Sequence, residues 1–351
     1  MKTIYVCSTM AFSGKTLISL AIGTYLKEKG ISFTYRKPVG NRPTFLNGVI
    51  VDEDALFVSQ ALGISVPPEE LSALILTQDL LVQGFKGKTK NLFEKVLKTC
   101  REVFKTEEIL LSVGYGNLYS GTFLNISGLS LAKALKARVI LVVRYEGEYI
   151  VDYVLKAIED LEGLKVGLVF NDLSPEDFYN YKDLIRPFFE AQGISILGEI
   201  PHDDILASVS VKELKEYLGA KLLGNVSEDR LVKHFLIGGM QVDKAIQYFR
   251  QTPDFGVIVG GDRSDIQLAA IETGAVCLLL TGGLYPNEII MAHAEEAGVP
   301  ILILQEDTYS VARKVEHLPM KTRIRHPQKL TRALELGRKY IDQEILQRLL
   351  D

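Results

Sequence analysis

The stretch "TIYVCSTMAFSGKTLISLAIGTYLKEKG", residues 3–30, constrains the fold more than any other part of the chain. A short apolar run, a loop closing on Gly14-Lys15-Thr16 and a helical pattern follow one another as strand, loop and helix. An anion-binding loop needs that order. Its backbone N–H groups curl around a phosphate, and the helix N-terminus adds partial positive charge. In such a loop the lysine reaches the outer phosphates and the next hydroxyl binds magnesium, which assigns these roles to Lys15 and Thr16. Ala11, Ser13 and Gly14 are small enough for close backbone approach, while Thr9 stands where the usual pattern begins with glycine.

The first two hundred or so residues alternate apolar runs with helical patterns, the signature of a parallel sheet covered by helices. Strands are expected at 3–7, 33–38, 108–113, 138–144, 165–171 and 194–201. Helices are expected at 15–29, 54–62, 90–104, 127–135, 148–161 and 177–192. Runs such as "VILVV" do not alternate, as befits strands buried on both faces. The rhythm changes near Ala207, and a second set of strands begins at "FLIGGM", "FGVIVG", "AVCLLLTGG" and "VPILILQ". The expected architecture is a doubly wound, mainly parallel α/β domain over 1–207, a smaller α/β domain over 208–320, and a mixed-charge C-terminal helix within 321–351.

A net charge of −4 argues against a nucleic-acid binder, and no apolar run approaches a membrane span. The short run after Lys2 enters a loop rather than a signal-peptide core, so a cytoplasmic location is expected. Cys7, Cys100 and Cys277 lack metal-ligand spacing and sit in or beside apolar runs, reading as buried free thiols. The five histidines are scattered without ligand spacing. Tyr115 and Tyr119 flank a glycine loop and carry no assignment.

"STMAFSGKT", "YRKPVG" at 35–40, "DEDALFVSQALG" at 52–63, "FND" at 170–172 and "LGEIPHD" at 197–203 together resemble dethiobiotin synthetase and its relatives. The resemblance covers about the first 205 residues and accounts for Thr9, since those enzymes carry threonine there. It implies ATP and Mg2+ as cofactors. Thr9, Ala11, Ser13, Gly14, Lys15, Thr16 and Asn171 would hold the nucleotide, Lys15 and Lys37 would act on phosphate and substrate, and Thr16 and Asp54 would hold the metal. Asp54 also reads as a helix N-terminal acid, with Asp52 as its substitute. A dimer is likewise implied. One departure stands out: the family has an acidic residue before its Gly-x-Gly, and "LSVGYGNL" offers Ser112 at that place. A neutral hydroxyl does not balance a metal's charge as a carboxylate does.

In the second domain, "GDRSDIQLAAIETG" and "LLLTGGLYP" resemble the DRTGG domain. Asp262, Arg263, Asp265, Thr281, Gly282 and Gly283 lie just beyond the carboxyl ends of two expected parallel strands, the rim where open α/β sheets bind ligands. Ser264 or Asp265 caps the helix that follows. These residues suit either an effector or an interface. The order of the two units resembles the non-catalytic N-terminal part of long-form phosphate acetyltransferase. That resemblance implies a nucleotide-binding regulatory or sensor protein with a partner enzyme. An ATP-dependent ligase or synthetase activating a carboxylate or carbamate, a weak ATPase, and an assembly scaffold with a vestigial nucleotide site are the alternatives.

Overall fold

Apolar, unalternating segments pair only where both faces are covered, and this rule shapes both sheets. The computed structural model describes residues 2–102, 108–224, 226–318 and 323–351. It divides into two compact units: Met1–His202 with Thr331–Asp351, and Asp203–Leu330.

In the first unit six strands, β1 (Lys2–Ser8), β2 (Phe33–Arg36), β3 (Ile109–Val113), β4 (Arg138–Arg144), β5 (Val166–Leu173) and β6 (Ser195–Pro201), form one sheet in the order β6-β5-β4-β1-β3-β2. Every pairing in it is parallel. Val139 to Val143 are completely buried, which explains their unbroken apolar run. The chain winds from β1 toward β2 and β3 on one side and β4 to β6 on the other. The carboxyl end of β1 is therefore a topological switch point, where ligands of such sheets bind. The helix α1 (Lys15–Glu28) follows directly from it.

Several segments depart from the expected pattern. Residues 43–52 form an antiparallel hairpin of Pro43–Leu46 and Val49–Asp52, turned by Asn47 (φ 50°) and Gly48 (φ 82°). Asn-Gly with both φ values positive is the preferred two-residue hairpin turn. A helix at Gln78–Phe85 was also not anticipated. The expected helix at 177–192 carries a π-helical turn at Tyr181–Ile185, just before Pro187. Proline has no N–H to give the preceding turn, so the ladder slips there. The helix expected to end at Phe104 runs over Leu92–Glu102, and its expected end lies outside the described residues. The C-terminal stretch is two helices, Pro327–Tyr340 and Gln343–Leu350, rather than one. Between them Ile341 bridges to Gly198 on β6, and a Cβ at Gly198 would meet Ile341 Cδ1 at 2.7 Å.

In the second unit the strands β7 (Lys221–Leu223), β8 (His234–Ile237), β9 (Phe255–Gly260), β10 (Cys277–Thr281) and β11 (Ile301–Ile303) form a sheet ordered β7-β11-β10-β9-β8. All neighbours are parallel except β7, which lies antiparallel on β11. The expected end of this domain at 320 falls outside the described residues. The three cysteines are buried and free, and burial pushes each thiol up to about 12.

Candidate functional site

The loop between β1 and α1 has the form of an anion cradle. Gly14 sits at φ 94° as the N-cap of α1 and makes no side-chain cap, and the first turn of the helix carries no acidic residue. The leading N–H groups of α1 are thus left without a side-chain acceptor, as an incoming anion requires. A Cβ at Gly14 would meet Asn171 Nδ2 at 2.2 Å, so only glycine fits. Asn171, near the end of β5, donates from Nδ2 to the Ser13 carbonyl at 3.1 Å and braces the loop from behind. Ser13 Oγ donates to the Met10 carbonyl at 2.9 Å. Ala11 and Phe12 form the exposed tip, with Phe12 at φ 61°. Thr9 Oγ1 is buried with no hydrogen-bond partner, an orphan hydroxyl at the start of the cradle.

Lys15 bends back over this loop. Its Nζ donates to the Gly116 carbonyl at 2.5 Å and to Ser8 Oγ at 2.9 Å. Burial pushes its ammonium down to about 8, Lys37 adds to that shift, and Cys7 and Asp54 oppose it. Electrostatically, then, Lys15, Lys37 and Asp54 belong to one neighbourhood. No residue pattern marks Ser8 and the Gly116 carbonyl as receivers of Lys15, because one partner is a main-chain atom a hundred residues away.

Lys37 is held just beyond the end of β2. Its Nζ donates to Asp52 Oδ1 at 3.0 Å, Asp52 Oδ2 at 3.1 Å, Asn41 Oδ1 at 3.0 Å and Asp54 Oδ2 at 3.3 Å. Asp52 is fully buried and caps the helix α2 (Glu53–Ala61) through Ala55 N at 2.8 Å. It also accepts from Asn41 N and Arg42 N at 2.9 and 3.0 Å. Asp54 carries a second cation, Arg42 Nε at 3.4 Å.

These residues fit a phosphate: an uncapped helix start, a lysine, an orphan hydroxyl and a glycine-only contact converge at the switch point. The donor set for a magnesium ion is thinner. Thr16 supplies a hydroxyl, and Asp54 is a carboxylate already shared by two cations. Ser112 is fully buried with an unpartnered Oγ, and Val113, which precedes Gly114, is apolar. Among the described residues no three His, Cys, Asp or Glu side chains are grouped to hold a metal.

In the second unit Asp262 and Arg263 follow β9, and Gly282 and Gly283 follow β10. Arg263 is engaged in place: it pairs with Asp265 through two bonds of 2.9 and 3.0 Å and donates to the Met240 carbonyl at 3.3 Å. Arg263 itself is the N-cap of the helix Ser264–Glu272 and makes no side-chain cap, so neither Ser264 nor Asp265 occupies the cap position expected for them. Thr281 Oγ1 bonds Thr308 Oγ1 at 2.8 Å. Gly282 and Gly283 sit at φ 80° and 69°, and their N–H groups donate to the Glu306 and Leu304 carbonyls at 2.9 and 2.8 Å. Each of three parallel strands here, β8, β9 and β10, runs into a Gly-Gly pair, at 238–239, 260–261 and 282–283, a recurrence of which the expected site residues include only the last pair. No helix of the described residues is long and apolar enough to cross a membrane.

Residues 2–210 match the AAA domain family and residues 213–318 the DRTGG domain. The chain is 23% identical to phosphate acetyltransferase of Synechocystis sp. over 98% of its own length and 51% of that protein. It is 26% identical to phosphate acetyltransferase of Pseudomonas putida over 91% of its length and 47% of that protein. An ATP-dependent dethiobiotin synthetase from Nitrosopumilus maritimus is 22% identical over 61% of this chain and 95% of its own. The chain thus spans about half the length of the phosphate acetyltransferases it matches. It belongs to the AAA domain family, in its dethiobiotin-synthetase-like P-loop branch, and joins that domain to a DRTGG domain in the arrangement of the N-terminal region of long-form phosphate acetyltransferase.

Proposed function

We propose that this protein binds a nucleotide, ATP by preference, at the β1–α1 loop and acts as a regulatory or sensor module rather than as a phosphoryl-transfer enzyme. The observation that carries this reading is the contrast between two lysines. Lys15 lies over an uncapped helix start with only a carbonyl and a hydroxyl to leave behind, whereas Lys37 is locked onto both oxygens of buried Asp52. Transfer requires free positive charge on the moving phosphoryl group and a balanced metal. Lys37 tied down and a serine at 112 weigh against both. Bound ATP would bring magnesium on its own phosphates, and Thr16 and Asp54 are the protein residues that would hold it.

The DRTGG unit would then carry the response, to a second copy or to a partner enzyme of the acetyltransferase class, in keeping with the relatives that the chain matches over nearly its whole length. The ligase reading keeps one point in its favour, the alignment along 95% of a dethiobiotin synthetase. Titration calorimetry with ATP, ADP and GTP, each with magnesium or chelator, tests the proposal. Binding that persists in chelator, with no release of ADP, is the expected result. Magnesium-dependent ADP release in the presence of a carboxylic acid would replace it with the ligase reading.

A further inference from the structure

The contact between Lys15 and Gly116 reaches beyond the phosphate loop. Gly116 belongs to the connection 114–127 that leads from β3 to the helix Gly128–Ala134. Near Lys15 this connection is tied to β1: Gly114 N donates to the Val6 carbonyl at 2.9 Å, Leu118 N to the Ser8 carbonyl at 2.9 Å, and Ser8 Oγ to the Gly116 carbonyl at 3.3 Å. Its far end stacks Phe123 on Phe85 with ring centroids 4.8 Å apart. Phe85 ends the helix Gln78–Phe85, none of whose residues is fully buried. A Cβ on Gly84 would meet Leu124 at 2.3 Å, so helix and connection touch closely. That helix, with so little buried surface, is easily displaced, whereas the connection is also anchored in the core by Leu118, Leu124 and Ile126.

We propose that Lys15 is a tether: without a ligand it holds the 114–127 connection through the Gly116 carbonyl, and an anion in the β1–α1 loop draws the ammonium away and loosens the connection around Gly116 together with the helix Gln78–Phe85. The ammonium prefers a phosphate oxygen because an ionised acceptor makes the stronger bond. The Gly116 carbonyl then keeps only the longer Ser8 bond among the donors described above. The proposal rests on the nucleotide reading for its trigger, while the tether itself is a property of the ligand-free chain.

Hydrogen exchange read by mass spectrometry on the full chain tests it. In saturating ATP, peptides covering 114–126 and 78–86 exchange about tenfold faster, the size expected for the loss of one charge-assisted hydrogen bond, while β4 peptides stay unchanged. Lys15→Met, which keeps the aliphatic stem, shows the faster exchange without any ligand and does not respond to ATP. Calorimetric binding of ATP with unchanged exchange in 114–126 overturns the tether and leaves the nucleotide reading standing. Ligand-free Lys15→Met exchanging like wild type also overturns it. Absence of calorimetric binding removes the nucleotide reading and the trigger with it.

Discussion

Lys37 Nζ sits within 3.1 Å of both carboxylate oxygens of Asp52, and the two side chains are shut off from solvent. Such a pair is held at a desolvation cost that only full hydrogen bonding offsets, and three backbone N–H donors complete the set around Asp52. The pair is a fastening between the end of β2, the hairpin and α2.

Asp52→Asn is therefore expected to strand a buried ammonium and weaken the cap of α2. The expected loss is about 3 kcal/mol of unfolding free energy, read from the urea midpoint. Asp54→Asn removes a carboxylate that is partly in water and should cost under about 1 kcal/mol. Equal losses at the two positions would contradict the fastening role of Asp52.

Lys15 carries a pH signature. Its ammonium titrates near 8 in the ligand-free fold because burial disfavours the charge, whereas the unfolded chain keeps the proton to the ordinary lysine value. Between those two values the unfolded state binds more protons, so this residue makes the ligand-free fold more stable as pH rises through that window. Nucleotide binding runs the other way, because a phosphate retains the proton. Affinity should fall above about pH 8 by up to tenfold per pH unit, with proton uptake on binding at pH 9. Calorimetry in two buffers of different ionisation enthalpy measures that uptake directly. Binding without proton uptake at pH 9 would place the phosphate away from Lys15.

Ser112 is buried with no partner for its hydroxyl. Deleting an unsatisfied buried hydroxyl removes a desolvation cost. Ser112→Ala should be neutral or stabilising by up to about 1 kcal/mol in thermal or urea unfolding, with ATP affinity unchanged. A drop in ATP affinity would give Ser112 a direct role at the phosphates.

In the second unit, glycines of different kinds should respond differently. A Cβ at Gly261 would meet both the Cβ and the carbonyl oxygen of Leu284 at 2.5 Å, so the β9 and β10 loops touch there through backbone. Gly274 has φ 91° but open space around it. Gly261→Ala should cost about 2–3 kcal/mol by overpacking, against about 1 kcal/mol of backbone strain at Gly274→Ala. The unfolding midpoints of the two variants provide the comparison, and a reversed order would show that the rim loops are free to part.

The parallel sheet was legible because its strands are apolar on both faces, and helix ends such as Gly14 are marked in the sequence. The hairpin at 43–52 is announced only by Asn47-Gly48, because the apolar residues of "TFLNGVIV" on either side of that turn do not alternate as half-buried strands do. Lys15 and Asn171 were marked by the strand–loop–helix order and the motif set, yet their partners were not. The Gly116 carbonyl is main chain and leaves no mark in residue identity. Asp52 shows the opposite failure. A carboxylate in the expected neighbourhood reads as a metal ligand, and only the count of donors around its two oxygens shows that it is already spent.

The bridge between Gly198 and Ile341 has a consequence for the order in which the protein is made. Leu346, Leu349 and Leu350 are packed away in the same compact unit as β1, with Leu349 Cδ2 only 3.3 Å from where a Cβ on Gly167 would stand. The first unit is interrupted in sequence, and all of Asp203–Leu330 must leave the ribosome before its last pieces arrive. At ordinary synthesis rates that wait is on the order of ten seconds. During it the nascent sheet has an unsealed flank, and by its end the inserted unit is whole and free to fold before the first unit is complete.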